Sequence, residues 1–82
     1  MNKKQYLELL IKTFGFVPHI VKSYKTDGCG GQFRVVTGWE VTAIYNNGEP
    51  AFGFRTPEGF NDAVREIISK SIALGAMPVW VD

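Results

Sequence analysis

The stretch that decides the fold runs Phe33-Arg34-Val35-Val36-Thr37-Gly38-Trp39-Glu40-Val41-Thr42-Ala43-Ile44-Tyr45-Asn46-Asn47-Gly48-Glu49-Pro50-Ala51-Phe52-Gly53-Phe54-Arg55. Phe33, Val35, Thr37, Trp39, Val41, Ala43 and Tyr45 share one parity, and Arg34, Val36, Gly38, Glu40, Thr42 and Ile44 share the other. A period of two held from 33 to 45 predicts one long strand with an apolar face. Gly38 marks a bend in it, where the absent side chain lets the strand coil. Asn47-Gly48 reads as a two-residue type I′ hairpin turn, because both residues tolerate positive φ. That turn sets Asn46 opposite Glu49, Ala43 opposite Phe52 and Val41 opposite Phe54. Both phenylalanines then join Trp39, Val41 and Ala43 on one face, so turn chemistry and hydrophobic pattern agree.

Upstream of this hairpin, Tyr6, Leu7, Leu10, Ile11 and Phe14 recur at steps of three and four and predict a helix with one apolar stripe. Asn2 suits its N-cap and Gly15 the left-handed position past its end. Leu9 falls off the stripe and is expected to be partly exposed. Pro18 blocks further helix, and His19 to Tyr24 reads as a strand whose weak alternation leaves its faces unassigned. Thr26-Asp27-Gly28-Cys29-Gly30-Gly31 reads as a turn.

Downstream, Thr56-Pro57-Glu58 opens a second helix, with Thr56 as N-cap and Pro57 at the first helical position. Phe60, Ala63, Val64, Ile67, Ile68 and Ser71 form its expected buried stripe. Gly75 ends it, and Met77-Pro78-Val79-Trp80-Val81 is an apolar tail. Trp80 is expected to pack near the first helix or against a second copy. Two apolar helix stripes and one apolar sheet face bury each other in two layers. The expected fold is therefore α+β, a single domain over residues 1–82, with a three-stranded antiparallel meander and both helices on one face.

Composition bounds the function. The 82 residues are 45% hydrophobic and 21% charged, which is a folding composition. No run approaches the roughly 20 apolar residues of a membrane span, so a soluble, cytoplasmic domain is expected. One cysteine, Cys29, excludes an internal disulfide, and with the single histidine, His19, it argues against a structural zinc site. Net charge is only +1, yet residues 1–34 hold six basic side chains against two acidic ones, and residues 35–82 hold three against six. This split points to one basic and one acidic surface.

No catalytic set emerges. A Cys29/His19 nucleophile pair would have to meet across a strand of five residues at about 3.3 Å each. Gly28-Cys29-Gly30-Gly31 lacks the Lys, the Ser/Thr and the following helix of a phosphate loop, and reads better as a turn. Glu58 and Asp62 complement a helix dipole. No enzyme activity, cofactor or metal is expected.

The order helix, three strands, helix, with the Asn47-Gly48 hairpin and Thr56 to Leu74 as the last helix, resembles the double-stranded-RNA-binding domain. The resemblance covers nearly the whole chain and implies an α-β-β-β-α fold. Where that family places a lysine cluster, this chain reads Pro57-Glu58-Gly59-Phe60-Asn61-Asp62, which would repel phosphates. Its Gly-Pro-x-His-type turn motif is replaced by Asp27-Gly28-Cys29-Gly30-Gly31.

The sheet face turned away from the helices is the first candidate site. It would show Arg34, Val36, Glu40, Thr42, Ile44, Ala51, Gly53 and Arg55, small and apolar residues ringed by charge, which suits a protein interface. The expected function is a non-enzymatic protein-binding module. Phage or mobile-element inhibitors and adaptors, such as anti-CRISPR and other anti-defence proteins, share this profile. The alternative is RNA binding by the basic N-terminal surface, Lys3, Lys4, Lys12, Lys22 and Lys25. A homodimer through a strand edge or the C-terminal tail is a further expectation.

Overall fold

The computed structural model describes residues 1–26, 34–56 and 59–79. Its elements are α1 (Lys3–Thr13), β1 (Val17–Thr26), β2 (Arg34–Ile44), β3 (Pro50–Thr56) and α2 (Phe60–Ala73). The sheet is antiparallel in the order β1-β2-β3, and α1 lies over β1 while α2 lies over β2 and β3. This is the expected two-layer α-β-β-β-α fold.

Local chemistry explains the helix ends. The Asn2 side chain accepts from the Gln5 N–H at 2.8 Å, and the Gln5 side chain accepts from the Asn2 N–H at 2.9 Å. This reciprocal box satisfies donors that the first turn leaves without partners. At the other end the Phe16 N–H donates to Ile11 and the Gly15 N–H to Lys12, with φ 90° at Gly15. Gly75 and Ala76 repeat the same paired closure on Ile72 and Ser71 at the end of α2. These are Schellman caps, which the glycines make accessible.

The core lies between the layers. Leu7, Leu10, Ile11 and Phe14 from α1 and Ala63 and Ile67 from α2 meet Ile20, Trp39, Val41 and Ala43 of the sheet, all buried. Phe16 extends this core, touching the ring of Tyr45 at 5.6 Å and that of Phe52 at 5.7 Å, both edge to face. Tyr6 of α1 meets Phe60 of α2 in the same way at 5.5 Å.

The register agrees with the sequence reading in the body of the hairpin, where Ala43 is opposite Phe52 and Val41 opposite Phe54. The turn differs. It has three residues, Asn46, Asn47 and Gly48, closed by Tyr45 N–H to Glu49 C=O at 2.8 Å and Gly48 N–H to Tyr45 C=O at 2.9 Å. Only Gly48, at φ 93°, takes a positive φ there, so this is not a type I′ turn. The longer loop shifts pairing by one residue, and a bulge at Ala51 shifts it back, since Ile44 is opposite Pro50.

A second bulge interrupts the alternation expected over 33–45. Ser23 is opposite Gly38 but Tyr24 is opposite Val36, which makes Thr37 the additional residue. Gly38 has φ 155°, outside the range of ordinary side chains. The strand bends and continues, as expected, but its pairing parity changes at this point. Phe33 lies outside the described residues.

Three further readings are corrected. β1 starts at Val17 rather than His19 and runs to Thr26. Pro18 fits inside it because Tyr45 directs its amide to β3. Amide direction alternates along a strand, so Ala43 and its partner Pro18 form a pair without mutual hydrogen bonds, and the proline nitrogen faces the outer edge. Thr56 is not a helix cap. It is the last residue of β3, buried opposite Trp39, and Gly59 takes the N-cap place without a side-chain bond. Pro57 and Glu58 lie outside the described residues.

The third correction is the width of the α2 stripe. Ala63, Ile67 and Ser71 are buried, Phe60 and Val64 are half-buried, and Ile68 is 37% exposed. Steps of four residues overshoot a helical turn by about 40°, so the ridge 60-64-68 rotates away from the sheet.

Ile67→Ala should cost about 2–5 kcal/mol in urea unfolding, as for other large-to-small core changes. Ser69→Ala, on the solvent side, should stay within about 0.5 kcal/mol. The fully buried Ser71 hydroxyl has no hydrogen-bond partner among the described residues. Ser71→Ala should therefore be neutral or stabilising, and a loss above about 1 kcal/mol would reveal a bond to that hydroxyl.

Candidate interaction surface

Strand pairing builds the open face row by row, because directly opposed residues of a sheet share a face. Val21, Glu40 and Arg55 form one row, and His19, Thr42 and Gly53 the next. Val17 and Ile44 follow. These are the faces opposite Ile20, Trp39, Val41 and Phe54, which meet the helices. Ala51, expected on this face, is the bulged residue and packs against the buried cluster instead, because the bulge interrupts the alternation of β3.

The face is neither plainly polar nor plainly apolar. Val17 and Val21 are each 45% exposed, and Glu40, Thr42 and Ile44 are half-buried. The Arg55 guanidinium donates to the Glu40 carboxylate across the β2–β3 pair. Gly53 leaves a gap in the middle row. A Cβ built there would lie 3.5 Å from the Val41 carbonyl oxygen and 3.7 Å from the Thr42 hydroxyl, ordinary contact distances. The fold therefore does not require a glycine at this position.

Sequence reasoning placed Glu40, Thr42, Ile44 and Arg55 on this face, and the register brings them together. Arg34 and Val36 are placed by backbone register alone, opposite Thr26 and Tyr24 and beyond the Thr37 bulge. Val17, His19 and Val21 were missed, because the β1 sequence alternates poorly. Their signal was the pairing itself, since Glu40 and Thr42 need same-face partners on the neighbouring strand.

The basic candidates do not gather into one patch. Lys3 and Lys12 stand at opposite ends of α1, and the Lys3 ammonium lies 5.9 Å from the centre of the Phe60 ring. Lys22 sits on the helix side of β1, its ammonium 5.5 Å from the centre of the Trp39 ring. Lys4 is half-buried on α1, and Lys25 is placed by backbone only, opposite Val35. Two of the five are thus engaged with aromatic rings, a contact that favours a cation.

His19 is exposed on the open face, and Cys29 lies outside the described residues. Among the described residues no group of three or more His, Cys, Asp or Glu is placed to hold a metal ion. No helix among them is long and apolar enough to cross a membrane. A shallow depression of about 420 Å³ on the outside of α1 is lined by Met1, Gln5, Glu8, Leu9 and Lys12.

Comparison with known proteins finds no matching family model, no matching curated protein and no matching solved structure.

The Glu40–Arg55 pair is exposed enough for water to screen it. A double-mutant cycle with Glu40→Gln and Arg55→Gln should give a coupling below about 1 kcal/mol, smaller still in 1 M salt. A coupling of several kcal/mol would show that the pair is a structural element of the sheet.

Proposed function

We propose that this domain is a non-enzymatic protein-binding module that docks a partner on the open face of its sheet. The observation behind this reading is Gly53. A glycine inside a strand weakens it by roughly 0.5–1 kcal/mol relative to alanine. Here neither a positive φ nor a steric clash demands it. Gly53 is regularly paired with Thr42, beyond the bulge at Ala51, so of the usual reasons for a strand glycine the one that fits is close approach by another backbone or ligand. Beside that gap lie Thr42 and the Glu40–Arg55 pair, which supply polar and charged contact, while Val17 and Val21 on β1 and Ile44 on β2 supply apolar contact elsewhere on the face. Protein interfaces mix apolar and polar surface in this way.

The RNA-binding alternative has less support. The described first turn of α2 carries Asp62 and no basic residue, so phosphates meet repulsion at the helix end where the dipole would attract them. Compact inhibitors or adaptors of phages and mobile elements, including anti-defence proteins, remain the class that this small binding module fits best.

The test uses Gly53→Ala and Gly53→Val. Gly53→Ala should raise stability by about 0.5–1 kcal/mol. Affinity capture from the native host should retain a protein on wild type and lose it on Gly53→Val, with the melting temperature of that variant unchanged or raised. Equal capture by both would remove the open face from consideration. Duplex RNA should bind no tighter than the ~10⁻⁴–10⁻⁶ M non-specific range at physiological salt. Salt-sensitive, sub-micromolar RNA binding lost on changing Lys3, Lys4 and Lys12 to Ala would favour the alternative.

A further inference from the structure

The two edges of the sheet differ in what guards them. In the order β1-β2-β3, the outer sides of β1 and β3 have no strand beside them among the described residues. The backbone groups of successive residues in a strand point to opposite sides. The Tyr45 N–H bonds to Glu49, so Ala43 and Val41 direct their amides to β3, where Phe52 and Phe54 oppose them. The N–H and C=O groups of Gly53 and Arg55 therefore point away from the sheet. On β1 the outward residues are Pro18, Ile20 and Lys22.

The β1 edge is closed to a further strand. Pro18 has no N–H to give, and Lys22 sets a lysine there, a usual guard of sheet edges. The helix layer closes it as well. Two helices, each about 10–12 Å across, are wider than three strands about 4.8 Å apart. α1 lies over β1, whereas α2 is shared between β2 and β3, so the excess width falls beyond β1.

The β3 edge lacks these guards. Beyond the bulge at Ala51, β3 pairs regularly with β2 from Phe52 to Thr56, and no proline interrupts that run. Gly53 and Arg55 are exposed. Phe54 faces the helix layer, stacked on Phe52 with ring centres 6.3 Å apart and planes at 12°, yet it is only half-buried. With β2 on its inner side, its open part lies at the outer edge.

An extended strand carries donors and acceptors at the spacing that Gly53 and Arg55 present, and β3 is itself such a strand. Set antiparallel about a two-fold axis at Phe54, it brings Gly53 opposite Arg55 of a second copy, and Arg55 opposite Gly53 of that copy. Each such pair exchanges N–H to C=O bonds in both directions. Phe54 then meets Phe54 of the second copy in the closer, non-hydrogen-bonded position on the helix side. On the open side the glycine leaves room beside each Arg55, whose charge Glu40 balances.

We propose that this chain pairs with a second copy through the outer edge of β3, antiparallel and centred on Phe54, so that two sheets become one. The open face stays uncovered and continues across both chains, so this pairing does not depend on a partner docked there. Trp80, expected near the first helix or on a second copy, lies outside the described residues.

The full chain is followed by sedimentation and amide exchange over a range of protein concentrations. Its mass should rise towards double, and the Gly53 and Arg55 amides, which exchange fast in the single chain, should slow in step. Those of Ile20 and Lys22 should stay fast. Gly53→Pro deletes an outward N–H, which Pro18 shows an edge of this sheet to tolerate, and should remain a single chain at every concentration. Should that variant fail to fold, the wild-type exchange pattern decides alone. Gly53→Ala and Gly53→Val keep the N–H and should still pair, which separates this contact from docking on the open face. A constant single-chain mass with fast exchange at Gly53 and Arg55 would overturn the proposal. So would a dimer that protects Ile20 and Lys22 instead, or one that survives Gly53→Pro.

Discussion

The structure depends on the two-sided pairing of β2 (Arg34–Ile44). This central strand must satisfy its amides towards β1 and β3 and at the same time bury Trp39, Val41 and Ala43 under the helices. A slip of one residue would turn all three towards water and bring Glu40 and Thr42 into the core. Burying an unpaired carboxylate is costly, so the slipped register is strongly disfavoured. The two bulges work within this constraint. One at Ala51 absorbs the three-residue turn, and one at Thr37 bends the strand where it passes beyond β3.

Once β2 is fixed, the positions of its neighbours follow. Ile20 and Val41 share a face because they are paired, and Leu7, Ile11 and Ile67 close over them. The opposite face is left to water. Two helices of modest length can roof only one side of a three-stranded sheet. The fold thus has an inner face fixed by burial and an outer face free to carry Gly53, whose glycine the fold itself does not need.

Much of this was legible in the sequence, where strong periodicity or a capping residue gave a local cause. The alternation of Trp39, Val41 and Ala43, the Asn2 cap and the glycines after both helices are of this kind. The misreadings arise where a local signal met a competitor. Asn47-Gly48 suggests a two-residue turn, but the Asn47 side chain accepts from the Glu49 N–H at 3.0 Å, and the loop takes three residues. Thr56 has the chemistry of an N-cap and is instead held in β3 by pairing with Trp39. Ile68 has the right spacing for the core, yet a helix on a sheet buries a stripe narrower than its apolar sequence. At Thr56 and Ile68 tertiary geometry overrode a sound local preference, whereas at the turn one local preference overrode another. The open face was half legible for the same reason: its β2 and β3 residues follow from alternation, whereas Val17, His19 and Val21 follow only from pairing.

Amide hydrogen exchange tests the two-sided pairing of β2 most directly. The amides of Val41 and Ala43 should point to β3 and those of Glu40 and Thr42 to β1, so all four should exchange slowly, near the rate set by global unfolding. The amides of Ile20 and Lys22 should face the outer edge of β1, and those of Gly53 and Arg55 the outer edge of β3, and these should exchange fast. Slow exchange at Ile20 and Lys22 with fast exchange at Glu40 and Thr42 would contradict this arrangement of the sheet.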